Sequence, residues 1–371
     1  MYYFDHSATT PVHPDVLDLM HSIQKDVYGN PSSVHSQGRK ARSLIETARK
    51  QVAKAIGAIP NQIIFTSGGT EANNQVFWSL LNQKNTHVVS DTIEHPAVLK
   101  VLSEMKSHGI AYELVKVNKN GRISIADIKS AIQDDTGLIS IMLANNEIGT
   151  IQPIKEIVAL AHNNNIPVHS DAVQCLGKMR VDVNDLGVDY LSLSAHKFYG
   201  PKGIGILYFN NKDSLSSLMI GGGQEIGLRA GTENIASIAG MGLAAELVTN
   251  QLDHHINELK SFEAHFKSKL NTIFPNAIFN GDANNKLPGL VCVSFPGYRS
   301  DILMAKLDRA NFAVSSGSAC GSGNVKPSRV LSEMGISDET NISTLRFSFG
   351  ASNTSEQVDL LLSELKPILA G

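Results

Sequence analysis

The stretch LSLSAHKFYGPKGIG, residues 191–205, carries an apolar run straight into a histidine, a lysine and a glycine-rich turn. The run begins within VDYLSLSA (188–195), whose aliphatic residues read as a strand buried on both faces. A lysine just past such a strand is poorly solvated. Its pKa falls there, and the neutral amine is the form that attacks a carbonyl to make a Schiff base. Taken alone, Lys197 could equally be a surface lysine with a buried stem, so its neighbours must be read with it.

Four similar runs precede it: QIIFTS (62–67), THVVSD (86–91), GLISIML (137–143) and IPVHSDA (166–172). Helix-like segments lie among them. TEANNQVFWSLL (70–81) is one, and HPAVLKVLSEMKSHG (95–109) is another, with Pro96 suited to a first helical turn and Gly109 to an end. Apolar strands alternating with helices predict an α/β fold, with a mainly parallel sheet covered by helices. After about residue 250 the pattern changes to a long helix (252–274), short strands LVCVSFP (290–296) and TLRFSFG (344–350), and a closing helix (354–369). The expected division is a large domain over 15–250 and a smaller α+β domain built from 1–14 and 251–371.

In open α/β sheets, ligands gather beyond the carboxyl ends of the strands. At one such end, TSGGTEANN brings Gly68, Gly69 and Thr70 to a helix start, an arrangement that suits a phosphate, although an ordinary capped turn reads the same way. At a second, Asp171 ends an apolar strand, where a carboxylate calls for a cationic partner. The protonated ring nitrogen of pyridoxal phosphate is one such partner; a helix cap or structural ion pair is another. Ser194 and His196 flank Lys197 as further phosphate donors. His95 opens another helix, where an imidazole could stack on a cofactor ring, cap the helix or simply pack. Together these strand-end residues are far more specific than any one of them.

The 371 residues carry a formal charge of -3, and 18% of them are charged, so neither nucleic acid nor an anionic membrane is an expected partner. The apolar stretch 235–248 is short for a bilayer span and contains Glu246, so it reads as a buried helix. Three cysteines, an odd number, argue against a disulfide framework; the N-terminus lacks a secretory pattern, and a reducing cytoplasm is the expected setting. No metal site is expected. His254 and His255 are adjacent on a helix and point apart, which reads as a solvated face, and GDANNKLPG (281–289) lacks the later ligands of a calcium loop and reads as a surface turn. Cys292 and Cys175 read as packed. Cys320 is different: it sits within SSGSACGSGN (315–324), a polar stretch of turn formers that rarely surrounds a structural thiol.

The chain resembles the NifS/IscS-like cysteine desulfurases of the class V aminotransferase family, which are fold-type I pyridoxal-phosphate enzymes. The likeness runs through DHSATTPVHP, YGNPSSVHSQGRKAR, TSGGTEANN, EHPAVL, NNEIGTIQP, SDAVQCLGK, SAHKFYGPKGIG, GGGQEIGLRAGTENIA, SSGSACGSGN and LRFSFG, in family order over nearly the whole length. It implies that Lys197 binds the cofactor covalently, that Asp171 pairs with its ring nitrogen, that Gln174 bonds its ring hydroxyl and that His95 stacks on it. Gly69, Thr70, Ser194 and His196 would hold the phosphate, with Thr232 supplied by the second subunit of a homodimer. Asn146 and Arg346 would receive the carboxylate of the substrate, L-cysteine. Cys320 would take the substrate's sulfur as a persulfide and pass it to an acceptor protein.

Two rivals remain open at this level. One is another enzyme on the same scaffold, an aminotransferase or a selenocysteine lyase; the other is a silent member of a sulfur-transfer complex. One departure bears on the acceptor: relatives serving an iron–sulfur scaffold often carry a longer C-terminal tail than the LKPILAG ending seen here. Iron–sulfur assembly and tRNA thiolation are both compatible destinations.

Overall fold

The computed structural model describes residues 1–317 and 326–370. Among the described residues twelve strands are formed: β1 (Tyr2–Tyr3), β2 (Ile63–Thr66), β3 (His87–Asp91), β4 (Ala111–Val115), β5 (Thr136–Ser140), β6 (Val168–Asp171), β7 (Tyr190–Ser194), β8 (Gly205–Phe209), β9 (Ile278–Asn280), β10 (Leu290–Ser294), β11 (Phe312–Ala313) and β12 (Thr344–Ser348). Seven of them make the central sheet, in the order β2-β8-β7-β6-β5-β3-β4. The five strands from β7 to β4 run parallel, while β8 is antiparallel to both β7 and β2.

Helices cover both faces of this sheet, which explains why its inner strands lack alternation. β2, β3, β7 and β8 are buried at every position. One layer packs Ile139, Val168, Leu191 and Leu193 against Ile45, Val52, Met241 and Ala244. The opposite layer packs Val88, Leu138 and Leu207 against Val76, Phe77, Val98 and Leu102. The edge strand β4 is covered on one face only, through Tyr112 and Leu114, so its positions alternate in exposure and it offers no continuous apolar run.

Helix ends follow local chemistry. Pro96 opens the helix Pro96–Met105, and Gly109 turns the chain with φ 85°. The helix Ile235–Asn250 is largely buried, packed on the helices Ser36–Ala55 and Pro14–Asp26. No helix among the described residues is long and apolar enough to cross a membrane.

A second core is built from Phe4, Phe266, Phe295, Phe347, Phe349 and Leu361, around the antiparallel sheet β12-β10-β9 and the helices Leu252–Ile273 and Ser355–Ile368. The N-terminal segment belongs to this core through Phe4, and β1 pairs in parallel with β11. Cys292 is packed, as expected, in a small cluster with Ile148 and Leu331. His255 departs from the solvated face read from sequence: it is only 9% exposed and packs edge-on against Tyr199, while His254 stays exposed beside Glu258. The turn at 281–289 is anchored too, since Asp282 is buried and accepts from the amides of Asn284 and Asn285.

Candidate active site

At the carboxyl edge of β7, β6 and β2 opens a cavity of about 540 Å³, within the size range of small-molecule and cofactor sites. Gly69, Thr70, His95, Asn146, Asp171, Gln174, Ser194, His196 and Lys197 all line it. The sequence places these nine residues across five separate segments, and the parallel crossovers bring them to one rim.

The glycine turn is shaped by close packing. A Cβ on Gly69 would lie 2.6 Å from Val173 Cγ2, and one on Gly205 would lie 2.7 Å from Gly68 Cα and 2.5 Å from the Leu193 carbonyl. Larger residues would push the turn off β8 and away from the cavity. The helix Gly69–Ser79 starts with no side-chain cap, so its first amides are available to an anion. Glu71 is turned away, accepting from Ser67 N at 2.7 Å and from Arg229 Nε at 2.9 Å. Burial raises its pKa, but Arg229 and Ser67 outweigh that and leave the carboxyl below its usual range.

Asp171 is fixed from two sides: Asn73 Nδ2 donates to Oδ2 at 2.7 Å, and Val173 N donates to Oδ1 at 3.0 Å. Its neighbour Glu94 is fully enclosed, and burial, then Asp91 and Asp171, push its carboxyl well above the usual range. These influences disfavour a second negative charge beside Asp171.

Lys197 ends the turn after β7, and its ammonium donates to the carbonyls of Ser7 and Ala8, both at 2.7 Å. Burial, then Lys178 and Arg346, bring its pKa down to about 7 against the pull of Asp5 and Asp171. At neutral pH a large share of this amine is free to attack a carbonyl. His196 is held by Thr9, Nδ1 to Oγ1 at 3.1 Å, and burial, then Lys197 and Lys202, lower its pKa to about 4. It meets an anion as a neutral ring. Of its three sequence readings, His95 takes the cap, Nδ1 accepting from Ala97 N at 3.1 Å, and its ring lines the cavity. Burial, then Lys197, keeps it neutral against the opposing effect of Asp171, so the proton sits on Nε2.

Arg346 enters from β12. Nη1 donates to the Asn146 carbonyl at 2.9 Å and Nη2 to Asp5 at 2.8 Å, while the buried Nε has no partner among the described residues. Ser315 pairs with Arg346 through both backbone bonds, so the chain leading toward Cys320 starts beside this arginine. Cys320 itself lies outside the described residues. Thr232 is exposed and does not line the cavity of its own chain. Cys175 is buried and burial pushes its thiol up, as a packed cysteine requires.

Four residues escaped the sequence reading: Ser7 and Ala8, through their carbonyls, Thr9 and Asn73. Asn73 had a legible signal, one helical turn beyond the glycine loop. Backbone carbonyls carry none.

The donors suit pyridoxal phosphate. Uncapped helix amides with Thr70, Ser194 and His196 fit a phosphate, a fixed carboxylate fits a ring nitrogen, and a poorly solvated amine fits an aldehyde.

The family model for class V aminotransferases matches residues 2–361. The chain is 41% identical over 370 residues to the cysteine desulfurase IscS of Dictyoglomus turgidum, covering 99% of this chain and 94% of that one. A solved NifS-like protein superposes with a TM-score of 0.94 at 34% identity, covering 100% and 99% of the two chains. A structure described as SspA in complex with cysteine superposes with a TM-score of 0.83 at 35% identity, covering 95% of this chain and 100% of that one. With the cavity, its donors and these likenesses in agreement, the chain belongs to the class V aminotransferase family.

Proposed function

We propose that this protein is a pyridoxal-phosphate-dependent cysteine desulfurase, converting L-cysteine to L-alanine and leaving the sulfur as a persulfide on Cys320. The observation that carries this reading is the near-neutral amine of Lys197 beside Asp171 and a helix start open to phosphate. Relatives described as cysteine desulfurases, and one described in complex with cysteine, support the substrate.

Bound pyridoxal phosphate supplies an electron sink that weakens the bonds at the substrate's α-carbon. The chain supplies the rest. Asp171, aligned by Asn73, keeps a ring nitrogen charged. Lys197 Nζ, with a pKa near neutrality, takes and returns protons. The unpaired Arg346 Nε and Asn146 are suited to the substrate carboxylate. The Cys320 thiolate attacks the substrate sulfur; an S–S bond forms, the C–S bond breaks, and alanine departs after the carbon is protonated.

The same reading makes the protein a cytoplasmic homodimer, with Thr232 serving the partner's phosphate site. It divides the chain into a large domain over 15–250 and a small one from 1–14 and 251–371. The persulfide goes to an acceptor protein in iron–sulfur assembly or another thiolation route. The test is alanine release from L-cysteine, with and without reductant, by the natural chain and by Cys320→Ala. A reducible persulfide on the natural protein, and a variant that binds cofactor yet stalls, are expected. Equal alanine release by both refutes the role of Cys320 and favours an aminotransferase. Release by neither favours a silent member of a complex.

A further inference from the structure

Behind the cavity lies a cation that the reading above does not use. Lys178 is 7% exposed, and among the described residues it makes no ion pair with any carboxylate. A buried ammonium without a counter-charge is costly. Its hydrogen bond goes to Gln174 Oε1 at 3.2 Å, and Gln174 Nε2 donates in turn to the Ser7 carbonyl at 3.0 Å. That same carbonyl accepts from Lys197 at 2.7 Å. The chemistry of this chain of contacts fixes its direction. Lysine can only donate and a carbonyl can only accept, so the amide of Gln174 has one satisfactory orientation.

The groups around Lys178 come from five segments. Its own turn contributes Cys175, the N-terminal segment His6, the lysine turn Lys197, the helix Leu252–Ile273 His255, and β12 Arg346. Both nitrogens of the buried His6 ring lack a partner among the described residues, and an imidazole, neutral or protonated, offers no negative charge. Two carboxylates, Asp5 and Asp171, act on Lys197 in the opposite sense.

We propose that Lys178 is a positioning residue: it locks the Gln174 amide with its NH2 group toward the Ser7 carbonyl and, as a second buried cation, makes the Lys197 nitrogen release its proton more readily. This rests on the assignment of Lys197 as the cofactor-binding lysine. Electrostatics supports it independently, because after burial Lys178 is the largest influence lowering the Lys197 pKa. Burial also lowers Lys178's own pKa, to about 8, so it remains mostly charged at neutral pH.

The test is a pH titration of the near-visible absorption of the Lys197-bound cofactor in the holoenzyme, comparing the natural chain with Lys178→Gln and Lys178→Arg. Removing the neighbouring cation stabilises the protonated nitrogen, so Lys178→Gln should move the midpoint up by about one pH unit. Lys178→Arg, which keeps charge and donors, should restore it. Should the Gln variant not fold, Lys178→Met, which keeps the stem's packing, carries the same comparison. An unchanged midpoint in Lys178→Gln, or equal shifts in the Gln and Arg variants, overturns the proposal while leaving the functional reading intact. If Lys197→Ala leaves the absorption unaltered, that reading fails and the proposal falls with it.

Discussion

Removing the carboxylate of Glu225 should destabilise the protein strongly, and removing its partner as well should restore much of the loss. Arg49 and Glu225 form a two-pronged pair, Nη1 to Oε2 at 2.8 Å and Nη2 to Oε1 at 2.7 Å, with side chains only 11% and 3% exposed. The pair is woven into β2: Arg49 Nη1 also donates to the Ile63 carbonyl at 2.7 Å, Phe65 N donates to Glu225 Oε2 at 2.8 Å, and the guanidinium lies 4.9 Å from the Phe65 ring centroid. Glu225→Ala therefore leaves a buried guanidinium with only the partly exposed Glu46, 3.3 Å from its Nε, as counter-charge, and leaves a buried amide without its acceptor. Breaking such a pair costs about 3–5 kcal/mol, and the orphaned Phe65 amide adds about 1 kcal/mol. For a chain of this size, a loss of about 4 kcal/mol corresponds to a fall in Tm of about 5 °C. The stranded charge dominates, so Arg49→Met combined with Glu225→Ala should be more stable than Glu225→Ala alone by about 2 kcal/mol. Chemical denaturation of the two single variants and the double variant measures this. A double variant no more stable than Glu225→Ala would refute the reasoning. The pair also holds Glu225 and Ile226 at φ 46° and 54°, a strained turn that limited proteolysis should find newly accessible in the single variant.

Gly205→Ala should cost about 1–3 kcal/mol by overpacking and loosen the turn at Gly68, so Tm and cofactor retention should fall together. His169 is fully buried between Ser140 Oγ at 2.8 Å and Ser192 Oγ at 3.0 Å, and burial lowers its pKa to about 4 against the pull of Asp171. Between about pH 6.5 and 4 the unfolded chain takes up a proton there that the folded one refuses. Stability is therefore retained above that window and lost as pH falls through it, at up to about 1.4 kcal/mol per pH unit; His169→Gln should flatten the slope seen in urea denaturation across the window. Arg346→Lys should raise KM for L-cysteine more than it lowers kcat, as steady-state alanine release would record, because a point charge cannot replace a planar fork.

What the sequence made legible was chemistry at strand ends. An apolar run that stops at Asp171 or passes into Lys197 announces both a buried strand and a polar group with work to do at its mouth, and the parallel layout then delivers both to one rim. Direction was harder to read. β8 (GILYF) is as apolar as its parallel neighbours, yet it reverses, because only the seven residues 198–204 separate it from Lys197 and no crossover fits in that length. β4 was missed because an edge covered on one face only alternates in exposure. His255 was misplaced because its cover, Tyr199, comes from a distant loop. Lys178 drew no reading from the sequence, since its burial depends on five segments meeting.

The N-terminal strap ties events in protein synthesis to reactivity. Ser7, whose carbonyl accepts from Lys197, is 190 residues from that lysine in sequence, and its amide donates to Ser348 Oγ, 341 residues away. Phe4 and Tyr2 likewise await Ala313 and Asn311. The segment that restrains the reactive amine is thus translated long before its own anchors. A ribosome-bound chain holding the complete central sheet already has the contacts of this strap with Gln174 and His196, but lacks its anchors at Ser348, Ala313 and Asn311. Because long-range closures of this kind form late, the restraint on Lys197 is completed only when translation is nearly finished.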